Sequence, residues 1–296
     1  MLKTILIITC VSFIGETTYH PKNRNYCKIH CKTQTHTACD CTKKGERTEV
    51  ELDKVVAFRK VVLKEHNRLR NHLASGNESM LQDIKASDMM AVSYDLELEY
   101  MGRCYLRSRF KGNHDECRLL PNGREAGQNL ASVSEKDYSF DTVKQMINQW
   151  YEQILYMEQE WFNSTEFKEG VQVKYFTAMV WSHVNIIGCA RLYTADPQKE
   201  GFIKTEFVQT LLCNYGITVL KDKWTEVNLP GRPVFRTGLP CSKCPDGYRC
   251  NSQYTALCGN IKPVPTDPAY VFSKSGKKTF REATIFLVTF ALLYLY

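Results

Sequence analysis

Across 296 residues the chain carries 39 Lys and Arg against 32 Asp and Glu, a formal net charge of +7, with 13 cysteines and 43% hydrophobic residues. The charge does not call for a nucleic-acid partner: no basic run of five or more residues occurs, and aromatic residues do not alternate with Lys or Arg in a patch. So many cysteines exclude an ordinary reduced cytosolic domain and point to an oxidising compartment.

The first segment is a targeting signal. Lys3 precedes the apolar run Thr4 to Gly15, too short to span a bilayer, so residues 1–15 read as a secretory signal peptide. Cys10 leaves with it. The remaining twelve cysteines are even in number, as a disulfide framework requires: Cys27, Cys31, Cys39, Cys41, Cys104, Cys117, Cys189, Cys213, Cys241, Cys244, Cys250 and Cys258. They divide the chain into a knotted segment over 16–50, a larger domain over 51–230 and a small cysteine-rich module over 231–258. The outer pieces are too short to bury much apolar surface and need cross-links, whereas the central one is long enough for a hydrophobic core.

Within that domain Val55, Phe58, Val62, Leu69 and Leu73 recur at helical spacing, so the pattern predicts a helix over 53–74 that stops before Gly76. A second helix is expected over 96–109, with Leu96, Cys104 and Tyr105 on one face, and a third over 141–157, carried by Val143, Ile147, Trp150 and Ile154. The later segments 175–181, 186–193 and 202–215, rich in aromatic and β-branched residues, read as strands, the last two joined by a hairpin loop over 195–201. Helices first and strands afterwards imply an α+β domain in which helices cover an antiparallel sheet. Asn77-Glu78-Ser79 and Asn163-Ser164-Thr165 are glycosylation sequons, which places Asn77 and Asn163 on the surface.

Beyond the last cysteine, 259–273 contains Pro263, Pro265 and Pro268 and is expected to be a flexible stalk. Residues 274–296 end in fourteen uncharged positions, the pattern of a glycosylphosphatidylinositol signal that is removed on attachment, with Ser273 as the attachment residue. A short spanning helix, or a tail packed into the core, are the competing readings. Removal of both ends leaves a net charge of about +3, an ordinary soluble surface.

Four motifs then make a resemblance specific: HNRLR at 66–70, HDEC at 114–117, FTAMVW at 176–181 and LLCNYG at 211–216. Together with Asn25-Tyr26-Cys27 near the start and Gly231-Arg232-Pro233-Val234-Phe235 before Cys241, they make the chain resemble the CAP superfamily of cysteine-rich secretory, antigen 5 and pathogenesis-related proteins. Insect venom allergen 5-like members are the most similar. The resemblance implies an α-β-α sandwich, disulfide-rich and followed by the small module. It also implies the pairings Cys27–Cys39, Cys31–Cys117, Cys41–Cys104 and Cys189–Cys213, and leaves the last four cysteines to pair among themselves in any of three ways.

In that family two His and two Glu commonly line a cleft able to hold a divalent metal. Matched by motif, the positions here are His114, Gln128, Gln153 and Tyr175, so both carboxylates have become amides and one imidazole a phenol. Gln and neutral Tyr bond well to polar groups but ligate zinc poorly, so no metal and no cofactor is expected. Glu152 neighbours Gln153, yet adjacent helical positions point about 100° apart. No Gly-x-Ser-x-Gly or His-Glu-x-x-His motif offers another hydrolytic route, and His66 reads as a packing or capping residue.

The expectation is therefore a non-enzymatic extracellular binding protein, secreted and anchored at a cell surface by lipid, whose ligand is a lipid, a sterol or a protein. A metal-dependent hydrolase and a purely adhesive surface protein are the alternatives. Zinc at Cys241, Cys244, Cys250 and Cys258 is set aside, because an oxidising compartment turns those thiols into disulfides.

Overall fold

The computed structural model describes residues 19–41, 48–49, 52–81, 84–108, 110–135, 137–195, 207–219 and 226–272. The expected signal segment 1–15, most of the expected 195–201 loop, the expected attachment residue Ser273 and the 274–296 tail lie outside the described residues.

After a short hairpin of β1 (His30–Cys31) and β2 (Gln34–Thr35) come β3 (Thr48–Glu49), α1 (Val55–Ala74), β4 (Ser93–Tyr94) and α2 (Leu96–Ser108). Then follow β5 (Gly127–Val133), α3 (Phe140–Tyr151), α4 (Lys174–Val180), β6 (Ile186–Ala195) and β7 (Phe207–Gly216). The main sheet runs β3-β6-β7-β5, all antiparallel. The short β4 joins β6 in parallel, a departure from the purely antiparallel sheet expected from the sequence.

Helix α2 covers one face of this sheet, while α1, α3 and α4 share the large core on the other, giving an α-β-α sandwich. The apolar positions of α1 are buried as their spacing requires, and the helix closes through Gly76, at φ +79°, whose N–H bonds the Leu73 carbonyl at 3.0 Å. Gly188 seats α2 on β6: a methyl group there would lie 2.3 Å from the Glu99 backbone nitrogen.

Two elements depart from the sequence pattern. The segment 175–181, expected as a strand, is the helix α4. Its aromatic and branched residues look strand-like, yet Phe176, Met179 and Val180 bury a single helical face in the core, and that burial outweighs local preference. The third helix stops at Tyr151 and continues to Tyr156 only as a 3-10 turn.

The six disulfides include the four pairings implied by the resemblance; the last four cysteines join as Cys241–Cys250 and Cys244–Cys258. The cysteine-rich module is no separate body, since Val234, Phe235, Ala256 and Leu257 lie in the main core.

The expected flexible stalk is instead a docked strap. Arg59 donates to the carbonyls of Pro265 and Asp267 at 3.0 and 2.6 Å, and Arg103 donates to that of Tyr270 at 2.9 Å. Phe272 is buried, stacked on Tyr100 at 5.5 Å beneath the guanidinium groups of Arg103 and Arg107. Proline content suggested a solvated linker, but two tyrosine or phenylalanine rings spaced to reach an aromatic surface carry enough apolar area to hold it down.

Candidate functional site

The cleft is assembled by four elements that the sandwich brings together. His114 comes from the loop after α2, fixed three residues later by the Cys31–Cys117 disulfide. Gln128 stands on β5, Gln153 on the 3-10 turn after α3, and Tyr175 in the first turn of α4. His114 Nδ1 lies 2.9 Å from Gln128 Oε1, and its ring meets that of Tyr175 edge to face at 5.8 Å.

The orientation of the Gln128 amide follows from its neighbours. Nε2 donates to Asp115 Oδ1 at 2.7 Å and to Asn214 Oδ1 at 3.0 Å, so Oε1 must be the atom facing His114. The imidazole then carries its proton on Nδ1, and only Nε2 is left for another partner. Burial of the packed side of the His114 ring lowers its basicity below the ordinary range, against an opposing contribution from the Gln128 bond.

Asp115 was not singled out by sequence reasoning. Its carboxylate is saturated by Gln128, by the Thr37 hydroxyl at 2.5 Å and by Arg118 at 3.0 Å. The signal was the carboxylate one position beyond His114 in the HDEC motif, which no periodicity argument could separate from a surface acid.

Gln153 acts on the backbone. Its Oε1 accepts the N–H groups of Tyr175 and Phe176 at 3.0 and 3.2 Å, which caps the start of α4. Glu152, by contrast, faces solvent. Burial pushes the Tyr175 phenol above its ordinary pKa, so it is a neutral hydroxyl at physiological pH. Beside Gln153 and Tyr175 opens a depression of about 320 Å³, lined further by Gly170, Val171, Gln172 and Lys174.

Behind the cleft runs a buried polar chain. Asn129 Nδ2 donates to the Tyr175 carbonyl at 2.8 Å and to the Tyr215 hydroxyl at 3.2 Å; that hydroxyl lies 3.1 Å from His66 Nε2, and His66 Nδ1 lies 2.8 Å from the Val62 carbonyl. Nδ1 must be the protonated nitrogen, since a carbonyl only accepts. Burial pushes the His66 imidazole down to about 4. His66 therefore braces α1 against the sheet and does not reach the cleft.

His183 is elsewhere, 3.6 Å from the buried Asp88. Asn77 and Asn163 are both exposed. Among the described residues, the one group of three or more His, Cys, Asp or Glu ligand atoms close enough to share an ion is Cys241, Cys244 and Cys258, all of which are held in disulfides. No helix among the described residues is long and apolar enough to cross a membrane.

A disulfide-braced sandwich with a polar cleft at the junction of its helices and β5 defines the class, and comparison with known proteins supplies the family. The profile of the cysteine-rich secretory protein family, CAP, matches residues 63–215, so the chain belongs to the CAP family. It is 30% identical over 203 residues to venom allergen 5 of Vespa magnifica, covering 65% of this chain and 83% of that one. It is 28% identical over 221 residues to a CRISP/allergen/PR-1 protein of Trittame loki, covering 71% of this chain; the chain spans about half of that relative, 50% of its length. Among solved structures, NaASP2 crystallised with Zn2+ aligns at 22% identity and TM-score 0.50, over 71% of this chain and 97% of the other, a likeness of fold.

Proposed function

We propose that the protein is a non-enzymatic extracellular binding protein, displayed at a cell surface, that recognises a lipid, sterol or protein ligand through the cleft and the depression beside it. The observation that carries this reading is the locked Gln128 amide. A divalent ion needs several deprotonated or lone-pair donors converging on one point. Here Gln128 Oε1 is engaged by His114, Gln153 Oε1 is engaged by two backbone N–H groups, and Tyr175 is a neutral phenol. His114 Nε2 is the single imidazole nitrogen left, and the donor set does not fit a metal.

Zinc is named in the structure of NaASP2, a fold neighbour, so the contrast can be measured directly. Calorimetric titration of the purified protein with Zn2+ is expected to give no stoichiometric heat, while cholesterol or a long-chain fatty acid gives saturable retention. A stoichiometric zinc site abolished by His114→Ala, or substrate turnover lost with it, supports a metal-dependent hydrolase and overturns the proposal. Surface display rests on the small-polar-apolar order of the C-terminal residues, and release from intact cells by phosphatidylinositol-specific phospholipase C tests it.

A further inference from the structure

The docked strap encloses a second pocket, between α1, α2 and the N-terminal segment, which the proposed function does not use. Its volume is about 320 Å³, and its walls are Tyr19, His20 and Pro21 from the N-terminal segment, Arg59 from α1, Leu96, Glu99, Tyr100 and Arg103 from α2, and residues 267–271 of the strap. Four rings stand in a bent row around it. Tyr19 is 6.1 Å from Tyr100 at an interplanar angle of 57°, Tyr100 is 5.3 Å from Tyr270 at 90°, and Tyr270 is 5.7 Å from His20 at 84°. Successive rings turned against one another enclose a concave space instead of stacking it shut.

The charge inside that space is set by pairing. Arg59 holds Glu99 through two hydrogen bonds, at 2.7 and 2.8 Å, and Arg103 holds Glu49 at 2.5 Å, so each guanidinium is matched by its own carboxylate. Asp267 also lines the pocket, beside the Arg59 guanidinium that Glu99 already holds. The two guanidiniums therefore stand against three carboxylates, those of Glu49, Glu99 and Asp267, and an excess of one negative charge lies beside the aromatic wall. The π faces of tyrosine rings attract a cation within about 6 Å, and a quaternary ammonium, which needs no hydrogen-bond acceptor, is the cation that such a wall suits best.

We propose that this pocket binds a trimethylammonium group, as free choline or as the headgroup of a choline lipid, with Tyr19, Tyr100 and Tyr270 as its cage and Asp267 as its counter-charge. The site is independent of the cleft and of the ligand proposed there.

The test uses the full secreted chain and choline chloride in calorimetry, alongside the uncharged isostere of choline in which carbon replaces nitrogen. Choline is expected to bind saturably and the isostere at least about tenfold more weakly. Tyr270→Leu should weaken choline binding by about tenfold, and Asp267→Asn by about threefold. Tyr270→Phe keeps the ring and should bind as the parent does, which separates loss of the cage from loss of the strap. Association with phosphatidylcholine vesicles but not phosphatidylglycerol vesicles, abolished by Tyr270→Leu, also supports the proposal and assigns the lipid source. Equal affinity for choline and its isostere, or no saturable binding of either choline or phosphatidylcholine, overturns it.

Discussion

The cleft and the helical scaffold behind it treat charge in opposite ways. At the candidate site, the matched positions are two amides, a phenol and one imidazole of lowered basicity. Within the scaffold, full charges are buried and held by carbonyls or by an opposite charge. Arg70 is completely enclosed and donates to the carbonyls of Met90, Met179, Trp181, Ser182 and Val184, and Arg59 is locked to Glu99. In this protein the costly electrostatics hold loops together, and the site is left with hydrogen bonding.

The largest break in that comparison is expected at Arg70. Arg70→Met keeps the volume but strips five buried carbonyls of a charged donor, and at roughly 1 to 3 kcal/mol per weakened group the loss is on the order of 5 kcal/mol. Urea denaturation measures it, and a midpoint near that of the parent would show that those loops are held by other contacts.

Glu99→Gln comes next. It leaves the Arg59 guanidinium buried without its carboxylate, a cost of about 3 to 5 kcal/mol for breaking one side of such a pair. The same denaturation experiment checks it; removal of Arg118, part-exposed beside the cleft, should cost far less.

His66 supplies a pH dependence of intermediate size. Because burial holds its folded-state pKa near 4 and the unfolded value is near 6.5, the unfolded chain binds the proton more tightly. Its contribution is fully present above about pH 6.5 and lost as pH falls toward 4, on the order of 3 kcal/mol in all. His36, pushed down to about 4 by burial, adds to the same window. Stability measured at pH 7 and pH 4 should therefore fall steeply in the parent and less so in His66→Gln, and equal slopes would remove His66 as a cause.

The smallest effect sharpens the cleft side. Gln128→Glu puts a second carboxylate 2.7 Å from Asp115, where an amide N–H now donates. The new group's pKa rises, so the variant loses about 1 to 2 kcal/mol at neutral pH and recovers it below about pH 4. Combined with Gln153→Glu and Tyr175→His, the same change should create measurable zinc affinity in the titration that the parent fails.

Much of this was legible in the residues. The stripes Val55-Phe58-Val62 and Val143-Ile147-Trp150 placed α1 and α3 because burial on one face imposes the helical period. The four candidate positions came from motif matching, and the structure joins His114 to Gln128 and packs it on Tyr175. What could not be read was set by contacts distant in sequence. The α4 segment has strand-like composition, and only its fit against α3 and Gln153's bond to its first turn make it a helix. Asp115 and Asn214, which fix the Gln128 amide, lie 13 and 86 residues from it. The strap's prolines pointed to a solvated linker because nothing local records the Tyr100 surface that receives it.

That strap has a consequence for biogenesis. The aromatic cluster on α2 is completed by Tyr26 from the beginning of the described chain and by Phe272 from its end. During vectorial synthesis the nascent chain therefore carries an uncovered tyrosine-rich surface until residues 270–272 have emerged from the ribosome. A premature stop anywhere before Tyr270 leaves that surface permanently bare.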